Sequence, residues 1–245
     1  MGIYLRAMHT RILLKFSGEQ LAGKHDYGID PEMARYIAHE SKAVVEAGCD
    51  LILVIGGGNL VRGAQLAEKS AGSGIKRVTA DQMGMLSGLM NAMAMTDIFE
   101  SEGVPTRCLS NIYVTQLAES YSYRLAEKHL ERGRVVMVAG GMGRPYFTHD
   151  VAAVNLGLEL GCDLVLKATK VEGVYDKDPN QHDDAVKYES LSFDEAVKND
   201  AIKVMDKAAL GLALEQNMPI VVFDALKPGN LLKLAQGETV GTRVS

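Results

Sequence analysis

The sequence predicts an α/β fold, a three-layer α/β/α sandwich built on a central, mostly parallel sheet. Short apolar runs alternate along the chain with longer amphipathic stretches, and glycine-rich or polar segments connect them. Parallel strands that helices cover on both faces produce this alternation. The 245 residues are enough for a substantial core, and no repeat or low-complexity linker divides them. We therefore expect residues 1–245 to form a single domain with two lobes.

Most of the predicted strands are continuous apolar runs bounded by turn-forming residues. The predicted strands are residues 11–16, 50–55, 106–110, 134–139, 163–168 and 220–223. Runs of this length and composition are typical of strands that are buried on both faces.

Helices are predicted between the strands from their capping residues and apolar spacing. Asp30 and Pro31 indicate the N-cap and first turn of one helix, and Gly48 indicates its end. Further helices are predicted at residues 122–133, 151–161 and 206–217, after Pro228, and after the glycines at 56–58.

Residues 81–100 predict a long helix. Its apolar side chains recur near helical spacing at Met83, Leu86, Met90, Met93 and Ile98. Core packing or a subunit interface explains these methionines better than a cofactor site does. The helix also carries small residues that would let another helix approach closely, namely Ser87, Gly88 and Ala92.

Composition and charge exclude several classes of function. The net charge of -5 argues against a nucleic-acid or membrane surface. Cys49, Cys108 and Cys162 form no CxxC pair and no zinc-binding spacing, so they are interpreted as reduced thiols of a cytoplasmic protein. The sequence shows neither the apolar region of a signal peptide nor a run long enough to span a membrane.

Four glycine-rich or polar segments each follow a predicted strand. They are Ser17–Gly18, Gly56–Gly58, Gly140–Gly143 and Thr169–Gly173. Ligands of parallel α/β sheets bind at the carboxyl ends of the strands, so these four segments would form one site.

The four segments predict a phosphate-binding site of an uncommon kind. The chain has no P-loop pattern and no G-x-G-x-x-G after a strand. Lys15 nevertheless precedes Ser17 and Gly18, and Arg62 follows the Gly56–Gly58 turn, so cations and backbone amides occur together. A tight turn that packs a helix on the sheet would also explain the three glycines. Helix capping would equally explain Asp150 and Asp206.

Seven motifs in order resemble the amino acid kinase superfamily and, within it, the bacterial uridylate kinases. The motifs are LLKFSGE, YGID, VIGGGNLVRG, ADQMGMLSGLMNAMAM, GMGRPYFTHDVAA, LKATKVEGVYDKDP and IKVMDKAA. The resemblance implies an amino acid kinase-like fold and transfer of the γ-phosphoryl group of ATP, with Mg²⁺ carried by the ATP, to UMP. It also implies pyrimidine nucleotide biosynthesis, a homohexamer, activation by GTP and inhibition by UTP.

The same resemblance implies roles for individual residues. The implied catalytic residues are Lys15, Arg62, Asp150 and Asp206. The implied ATP-binding residues are Lys15, Phe16, Ser17, Gly18, Gly58, Arg62, Thr169, Tyr175 and Asp178. The implied UMP-binding residues are Gly57, Asp81, Met142, Gly143, Arg144, Pro145, Tyr146, Phe147, Thr148 and His149. The implied allosteric residues are Gly23, Lys24, His25, Asp26, Tyr27 and Gly28. No residue is implied as a direct metal ligand.

Two positions depart from the usual pattern of the family. Arg144 stands where many members have Asn or an apolar residue, and His149 replaces a Ser or Thr before the aspartate. Because Asp81 and its following MGML are intact, UMP remains the expected acceptor. The alternatives are an amino acid kinase acting on carbamate, acetylglutamate, aspartate or isopentenyl phosphate, or a non-catalytic nucleotide-binding regulator or storage protein.

Overall fold

Nine strands form one sheet in a computed structural model that describes residues 9–61, 74–199, 202 and 204–245. The strands are β1 (Arg11–Phe16), β2 (Asp50–Ile55), β3 (Thr106–Ser110), β4 (Glu119–Ser120), β5 (Val135–Ala139), β6 (Leu164–Thr169), β7 (Ser190–Leu191), β8 (Ile220–Asp224) and β9 (Thr242–Val244). Their order across the sheet is β4-β3-β5-β2-β1-β6-β8-β9-β7.

The pairing confirms a mostly parallel sheet. Every neighbouring pair is parallel except β8 and β9, where Val221 stands opposite Arg243 in an antiparallel register. The first strand, β1, lies at the centre between β2 and β6. All six predicted strands are present, each within one residue of its predicted ends.

Helices cover both faces of the sheet, which confirms the predicted three layers. They are α1 (Gly18–Leu21), α2 (Pro31–Glu46), α3 (Arg77–Ser101), α4 (Tyr123–Leu130), α5 (His149–Glu159), α6 (Phe193–Lys198), α7 (Lys207–Gln216) and α8 (Asn230–Ala235). Alternate residues of β1 enter two cores. Ile12 and Leu14 pack with α2, α3 and α8, whereas Leu13 packs with α4, α5, α6 and α7.

Local capping explains where these helices begin. Asp30 accepts a hydrogen bond from the Glu32 backbone at 3.0 Å, and Pro31 occupies the first turn of α2, as predicted. Gly48 follows the helix with a φ of 86°, a conformation that favours glycine. The predicted helix after Gly56–Gly58 lies mostly outside the described residues.

The long helix α3 confirms the helix predicted at residues 81–100, and only some of its apolar side chains enter the core. Its core face carries Met85, Leu89, Ala92, Met95 and Phe99, whereas Met83, Leu86 and Met90 are exposed. The backbone that approaches Ser87 and Gly88 is the turn at Gly57 rather than another helix. Within the described residues, no helix is both long and apolar enough to cross a bilayer.

Several short elements were not predicted. They are β4, β7, β9, α1 and α6. Strands of two or three residues show no periodicity, and their existence depends on pairing with a neighbouring strand.

Candidate active site

The fold brings the four predicted loop segments to one edge of the sheet. They follow β1, β2, β5 and β6, and these strands are parallel neighbours in the order β5-β2-β1-β6. Parallel neighbours end on the same side, so the segments lie side by side at the carboxyl edge of the sheet.

A buried charge cluster lies beneath these loops. Asp150, in the first turn of α5, contacts the Nζ atoms of Lys15 at 2.9 Å and Lys167 at 3.1 Å. The side chains of Lys15 and Asp150 are each 13% exposed. Lys167 also donates a hydrogen bond to the carbonyl of Val204 at 2.6 Å. Two ammonium groups therefore share one carboxylate in a poorly hydrated position.

The pKa values in this cluster follow from burial and charge. Burial acts to raise the pKa of Asp150, but Lys15 and Lys167 outweigh it and lower that pKa below its usual value. Burial lowers the pKa of Lys167, and the charge of Lys15 adds to this effect, while Asp150 opposes it. Asp150 is thus held ionised between two cations.

The cap of α5 is Thr148 rather than Asp150, so capping does not account for the aspartate. The Thr148 hydroxyl accepts hydrogen bonds from the backbones of Asp150 at 3.1 Å and Val151 at 3.3 Å. It donates its own hydrogen bond to Asp206. Asp206 in turn caps α7, accepting from Ala208 and Ala209 at 3.0 Å each. The capping interpretation of Asp206 is confirmed.

The glycine turn after β2 is shaped by close backbone contacts. The positive φ values in the structure do not include those of Gly56, Gly57 or Gly58. A Cβ on Gly57 would lie 2.6 Å from the carbonyl oxygen of Gly84 and 2.7 Å from the nitrogen of Gly88, both in α3. The tight-turn interpretation therefore explains Gly57, and its contact with UMP stays a prediction. Gly58 has more space, since its Cβ would meet the Glu19 side chain at 3.3 Å.

Glycine is also required where the first loop meets this turn. A Cβ on Gly18 would lie 2.5 Å from the carbonyl oxygen of Gly56 and 2.8 Å from the nitrogen of Gly58. Ser17, just before it, caps the short helix α1 by accepting a hydrogen bond from Glu19 at 3.3 Å. Phe16 is buried, and its carbonyl accepts from the Gly56 nitrogen at 3.1 Å. The two segments with predicted phosphate contacts are thus adjacent.

His149 lies beneath the turn rather than in solvent. Its Nε2 atom is 3.2 Å from a Cβ position on Gly88 and 3.7 Å from one on Gly141. This nitrogen is buried and has no hydrogen-bond partner among the described residues. Burial, together with the positive charge of Lys15, lowers the pKa of His149 to about 4 although Asp150 opposes the shift. The imidazole is therefore neutral at pH 7.

Asp81 connects α3 to the predicted acceptor loop. Its carboxylate accepts hydrogen bonds from Arg77 Nε at 2.7 Å and from the backbone of Tyr146 at 3.0 Å. Tyr146 adopts a φ of 69°, and the Arg77 guanidinium lies 5.8 Å from the centre of its ring. The exposed members of this loop are Arg144, Tyr146, Phe147 and Thr148, and the half-buried ones are Met142, Gly143 and Pro145.

Three of the predicted ATP-binding residues lie at the end of β6 or after it: Thr169 is its last residue, and Tyr175 and Asp178 follow. The Thr169 hydroxyl lies within hydrogen-bond distance of two carbonyl oxygens, those of Val171 at 2.7 Å and Phe223 at 2.9 Å, and its one hydrogen is donated to either of them. Tyr175 and Asp178 line an open cavity of about 610 Å³ formed by residues 171–181 without residue 172. Asp178 itself accepts hydrogen bonds from the backbone and side chain of Asn180 at 2.9 and 3.1 Å.

Two predicted groups stand apart from this arrangement. Arg62 lies outside the described residues. The loop Gly23–Gly28 exposes the side chains of residues 24–27 at the surface. Its last residue is bonded to Asn59, which directly follows the glycine turn, through Gly28 N to Asn59 O at 3.1 Å and Asn59 Nδ2 to Gly28 O at 2.6 Å.

The carboxylates of the site are already engaged by protein groups. Asp150 contacts two lysines, and Asp206 contacts Thr148 and two backbone amides. Among the described residues, no group of three or more His, Cys, Asp or Glu side chains is arranged to hold a metal ion.

Some residues that shape the site were not singled out by sequence reasoning. Asn59, which directly follows the glycine turn, and Asn91, in α3, are buried and join the two segments through their side-chain amides. The sequence offered one indication, a polar side chain directly after three glycines, but the pairing itself depends on the tertiary fold.

Comparisons with known proteins agree with the α/β fold. The amino acid kinase family model matches residues 10–224. A uridylate kinase from Xanthomonas oryzae pv. oryzae is 48% identical over 236 residues, which cover 96% of each chain. The crystal structure of a UMP kinase from Bacillus anthracis superposes with a TM-score of 0.91 at 35% identity, covering 97% of this chain and 96% of that one. A UMP kinase from Ureaplasma parvum has a TM-score of 0.87 at 31% identity, covering 96% and 98%.

Proposed function

The chain belongs to the amino acid kinase family of phosphotransferases, and on that premise we propose that it transfers the γ-phosphoryl group of ATP to UMP, giving UDP and ADP. One observation carries the proposal. Lys15 and Lys167 share the single carboxylate of Asp150 at the edge where the glycine turn ends β2. Two cations beside backbone amides suit a site that must hold two polyanions together.

The chemistry needs positioning more than proton transfer. The transferred phosphoryl group spreads negative charge over its oxygens in a loose transition state. The phosphate of UMP is already an anion at neutral pH, so it requires little help from a general base. Lys15 and Lys167 would neutralise the developing charge, and Asp150 would hold both ammonium groups in place. Arg62 is proposed as a third cation from its place in the motif.

The two substrates are assigned to opposite sides of the turn. We assign UMP to Gly57, Asp81 and the loop 142–149, because Asp81 joins α3 to that loop through the backbone of Tyr146. We assign ATP to residues 15–18, with Gly58 and Arg62 at the turn and Thr169, Tyr175 and Asp178 beyond it. The cavity formed by residues 171–181 without residue 172 supports this assignment, because it opens beside the carboxyl end of β6. Asp206 is assigned a supporting role, because it caps α7 and holds Thr148.

Magnesium is assigned to the nucleotide. Mg²⁺ would supply charge neutralisation to the phosphates of ATP when bound. The existing contacts of Asp150 and Asp206 support a metal that needs no cage of protein ligands.

Regulation and assembly are further parts of the proposal. GTP activation is assigned to the loop Gly23–Gly28, which is exposed yet bonded to Asn59 at the glycine turn. UTP inhibition, a homohexamer, a cytoplasmic location and a place in pyrimidine nucleotide synthesis follow the family resemblance. The exposed apolar side chains of Met83, Leu86 and Met90 on one helix support self-association.

An assay of ADP release over a panel of acceptors tests the proposed function. The panel contains UMP, CMP and dUMP, together with carbamate, aspartate, acetylglutamate and isopentenyl phosphate, each with ATP and Mg²⁺ and with or without GTP. We expect UMP to give the highest kcat/KM. Turnover with another acceptor and none with UMP would assign the chain to a different amino acid kinase. Tight nucleotide binding without turnover of any acceptor would indicate a binding protein.

A further inference from the structure

Two short antiparallel arms, residues 174–176 and 186–188, lie beside the cavity that we assign to ATP. Tyr175 and Lys187 stand opposite each other in an isolated antiparallel bridge between the arms. All three residues of the first arm line the cavity, and Asp178 follows two positions later. We call this pair of arms the donor hairpin, and its position shapes one wall of the cavity.

At its base, the donor hairpin makes one of its two cross-strand hydrogen bonds through a side chain. Opposed residues of a hydrogen-bonded antiparallel pair exchange two backbone bonds. Here the Tyr188 N–H donates to the Val174 carbonyl at 2.9 Å. The Val174 N–H donates instead to Thr242 Oγ1 at 2.9 Å, and the Thr242 hydroxyl donates to the Tyr188 carbonyl at 2.5 Å. One hydroxyl therefore stands in place of a direct backbone bond and holds both arms.

Thr242 belongs to the central sheet rather than to the donor hairpin. It lies in β9 opposite Val222 of β8, and its exposure is 0%. Val244, two positions later on the same face of β9, is equally buried and apolar. Valine has nearly the shape of threonine and would satisfy packing at position 242 as well. The hydroxyl is thus explained by its two hydrogen bonds and not by burial.

The residue before the donor hairpin lets Thr242 approach closely. A Cβ on Gly173 would lie 3.2 Å from the Thr242 nitrogen and closer still to Oγ1. Gly173 and Val174 are both buried, and both line the cavity. A buried N–H that loses its hydrogen bond costs free energy, so Thr242 fixes the position of Val174 and with it the cavity wall.

We propose that Thr242 is a positioning residue for the phosphoryl donor: its hydroxyl fastens the donor hairpin to the sheet and so maintains the cavity that receives ATP. The inference rests on the proposed function for the identity of the ligand. Its structural part, the attachment of the hairpin through one hydroxyl, can be measured on the chain without ligand. Because Thr242 acts through the hairpin, it should affect donor binding and leave the chemical step unchanged.

The kinetic test removes the hydroxyl of Thr242 and keeps the shape of the side chain. Thr242→Val should raise the KM for ATP about three- to tenfold, because two backbone groups of the hairpin lose their partner. The kcat and the KM for UMP should stay within about twofold of wild type. Thr242→Ser keeps the hydroxyl and should restore the KM for ATP. If Thr242→Val does not fold, Thr242→Ala and Thr242→Ser make the same comparison.

Thr106→Val is the matched control. Thr106 is also 0% exposed, but it lies in β3, and its hydroxyl donates to the Val104 carbonyl at 2.8 Å. Its replacement removes a buried hydroxyl from the same sheet without touching the donor hairpin. Thr106→Val should therefore keep the wild-type kcat and both KM values.

Two measurements separate this inference from the proposed function. Without ligand, amide hydrogens of the donor hairpin should exchange about tenfold faster in Thr242→Val than in wild type, while those of α2 keep their rate. Calorimetry should give a Kd for ATP about three- to tenfold higher in Thr242→Val. A wild-type chain that binds ATP but does not phosphorylate UMP would refute the proposed function alone, because both measurements still apply to it.

Wild-type ATP affinity or wild-type hairpin exchange in folded Thr242→Val would overturn the inference. An equal loss of affinity for ATP and UMP would overturn it as well, since that result indicates general damage. The same holds for a loss that Thr242→Ser does not restore or that Thr106→Val reproduces. A wild-type chain that does not bind ATP would overturn the role in donor binding whatever the exchange rates.

Discussion

The two ends of β1 carry buried cations in opposite charge surroundings. At its start, Arg11 contacts two carboxylates, Asp50 at 3.0 Å and Glu127 at 2.6 Å, and also donates to the carbonyl of Leu160. At its other end, Lys15 shares the carboxylate of Asp150 with a second cation, Lys167. One end has more negative than positive charge in direct contact, and the other has the reverse.

This difference separates a structural site from a functional one. The guanidinium of Arg11 has its donors occupied by protein acceptors, so the network ties together strands and helices with nothing left to bind. The lysine pair keeps an excess of positive charge in a position where water screens it poorly, which favours an anionic ligand. Burial alone does not distinguish the two ends, but the balance of charges does.

The largest expected effect is on catalysis at the lysine end. Lys15→Met should lower kcat/KM for UMP phosphorylation by at least about 100-fold, because a charge that stabilises the transferred phosphoryl group is removed. The melting temperature should change little, since Lys167 still neutralises Asp150. Lys198→Met, which removes an exposed lysine paired with Asp194, serves as the control. Wild-type kinetics in Lys15→Met would show that the lysine end of β1 is not a functional site.

The arginine end should show the opposite pattern. Arg11→Met should lower the free energy of unfolding by about 2–4 kcal/mol, because Asp50 and Glu127 lose their partner in a half-buried position. The kcat of the protein that remains folded should be unchanged. Urea denaturation measures the loss, and Arg35→Met, which breaks an exposed pair with Glu32, should cost well under about 1 kcal/mol. A stable Arg11→Met variant with reduced kcat would reverse the assignment of the two ends.

The third prediction concerns the glycine turn at the carboxyl edge of the sheet, where the backbone of α3 lies close to Gly57 but not to Gly58. Gly57→Ala should cost about 1–3 kcal/mol of stability and also reduce kcat, because its Cβ would be 2.2 Å from Ser87 Oγ and 2.6 and 2.7 Å from backbone atoms of α3. Gly58→Ala should cost less, since its Cβ would meet only the Glu19 side chain, at 3.3 Å and beyond. Thermal melts of both variants decide this point. Equal melting temperatures of Gly57→Ala and Gly58→Ala would contradict this difference, because they would show that the turn can move away from α3 without loss of stability.

The smallest expected effect is the dependence of stability on pH that comes from His149, which is buried beside the positive charge of Lys15. Because its pKa is lowered to about 4 in the folded chain, the unfolded chain binds a proton first as pH falls. Stability should therefore decline between pH 7 and pH 5 by up to about 2 kcal/mol from this group. The charged groups that face the His149 imidazole are Lys15 and Asp150. The glycines packed against it, at positions 56, 88 and 141, carry no charge.

Urea denaturation at both pH values measures this dependence. His149→Gln should reduce it, whereas His39→Gln, which removes an imidazole that is 62% exposed, should not. The same pH dependence in His149→Gln and wild type would contradict the buried, neutral imidazole.

The fold was predictable to the extent that strands are long and continuous. The run at residues 50–55 has the length and composition of a buried strand, and its predicted bounds agree with the structure. By contrast, Glu119–Ser120 becomes a strand because Leu109 and Ser110 pair with it, and two residues carry no pattern of their own.

The candidate site was predictable in its loops but less so in its contacts. Strand–loop order was enough to expect that residues 17–18 and 56–58 would meet. Nothing in the local sequence indicated that Thr148 would cap α5 and release Asp150 for two lysines, because that choice depends on which side chain faces the sheet. The need for glycine at position 57 was not predictable either, because it comes from contact with the backbone of α3, which begins twenty residues later.

The central position of β1 also has a consequence for how the chain folds. This first strand pairs with β6, and Arg11 hydrogen-bonds Asp163 across a sequence separation of 152 residues. Such pairings make loop closure costly and folding slow. During synthesis, one edge of β1 stays without its partner until β6 has left the ribosome, and an unpaired apolar edge promotes aggregation. The same topology that assembles the lysine pair from distant segments makes the nascent chain a candidate client for chaperones.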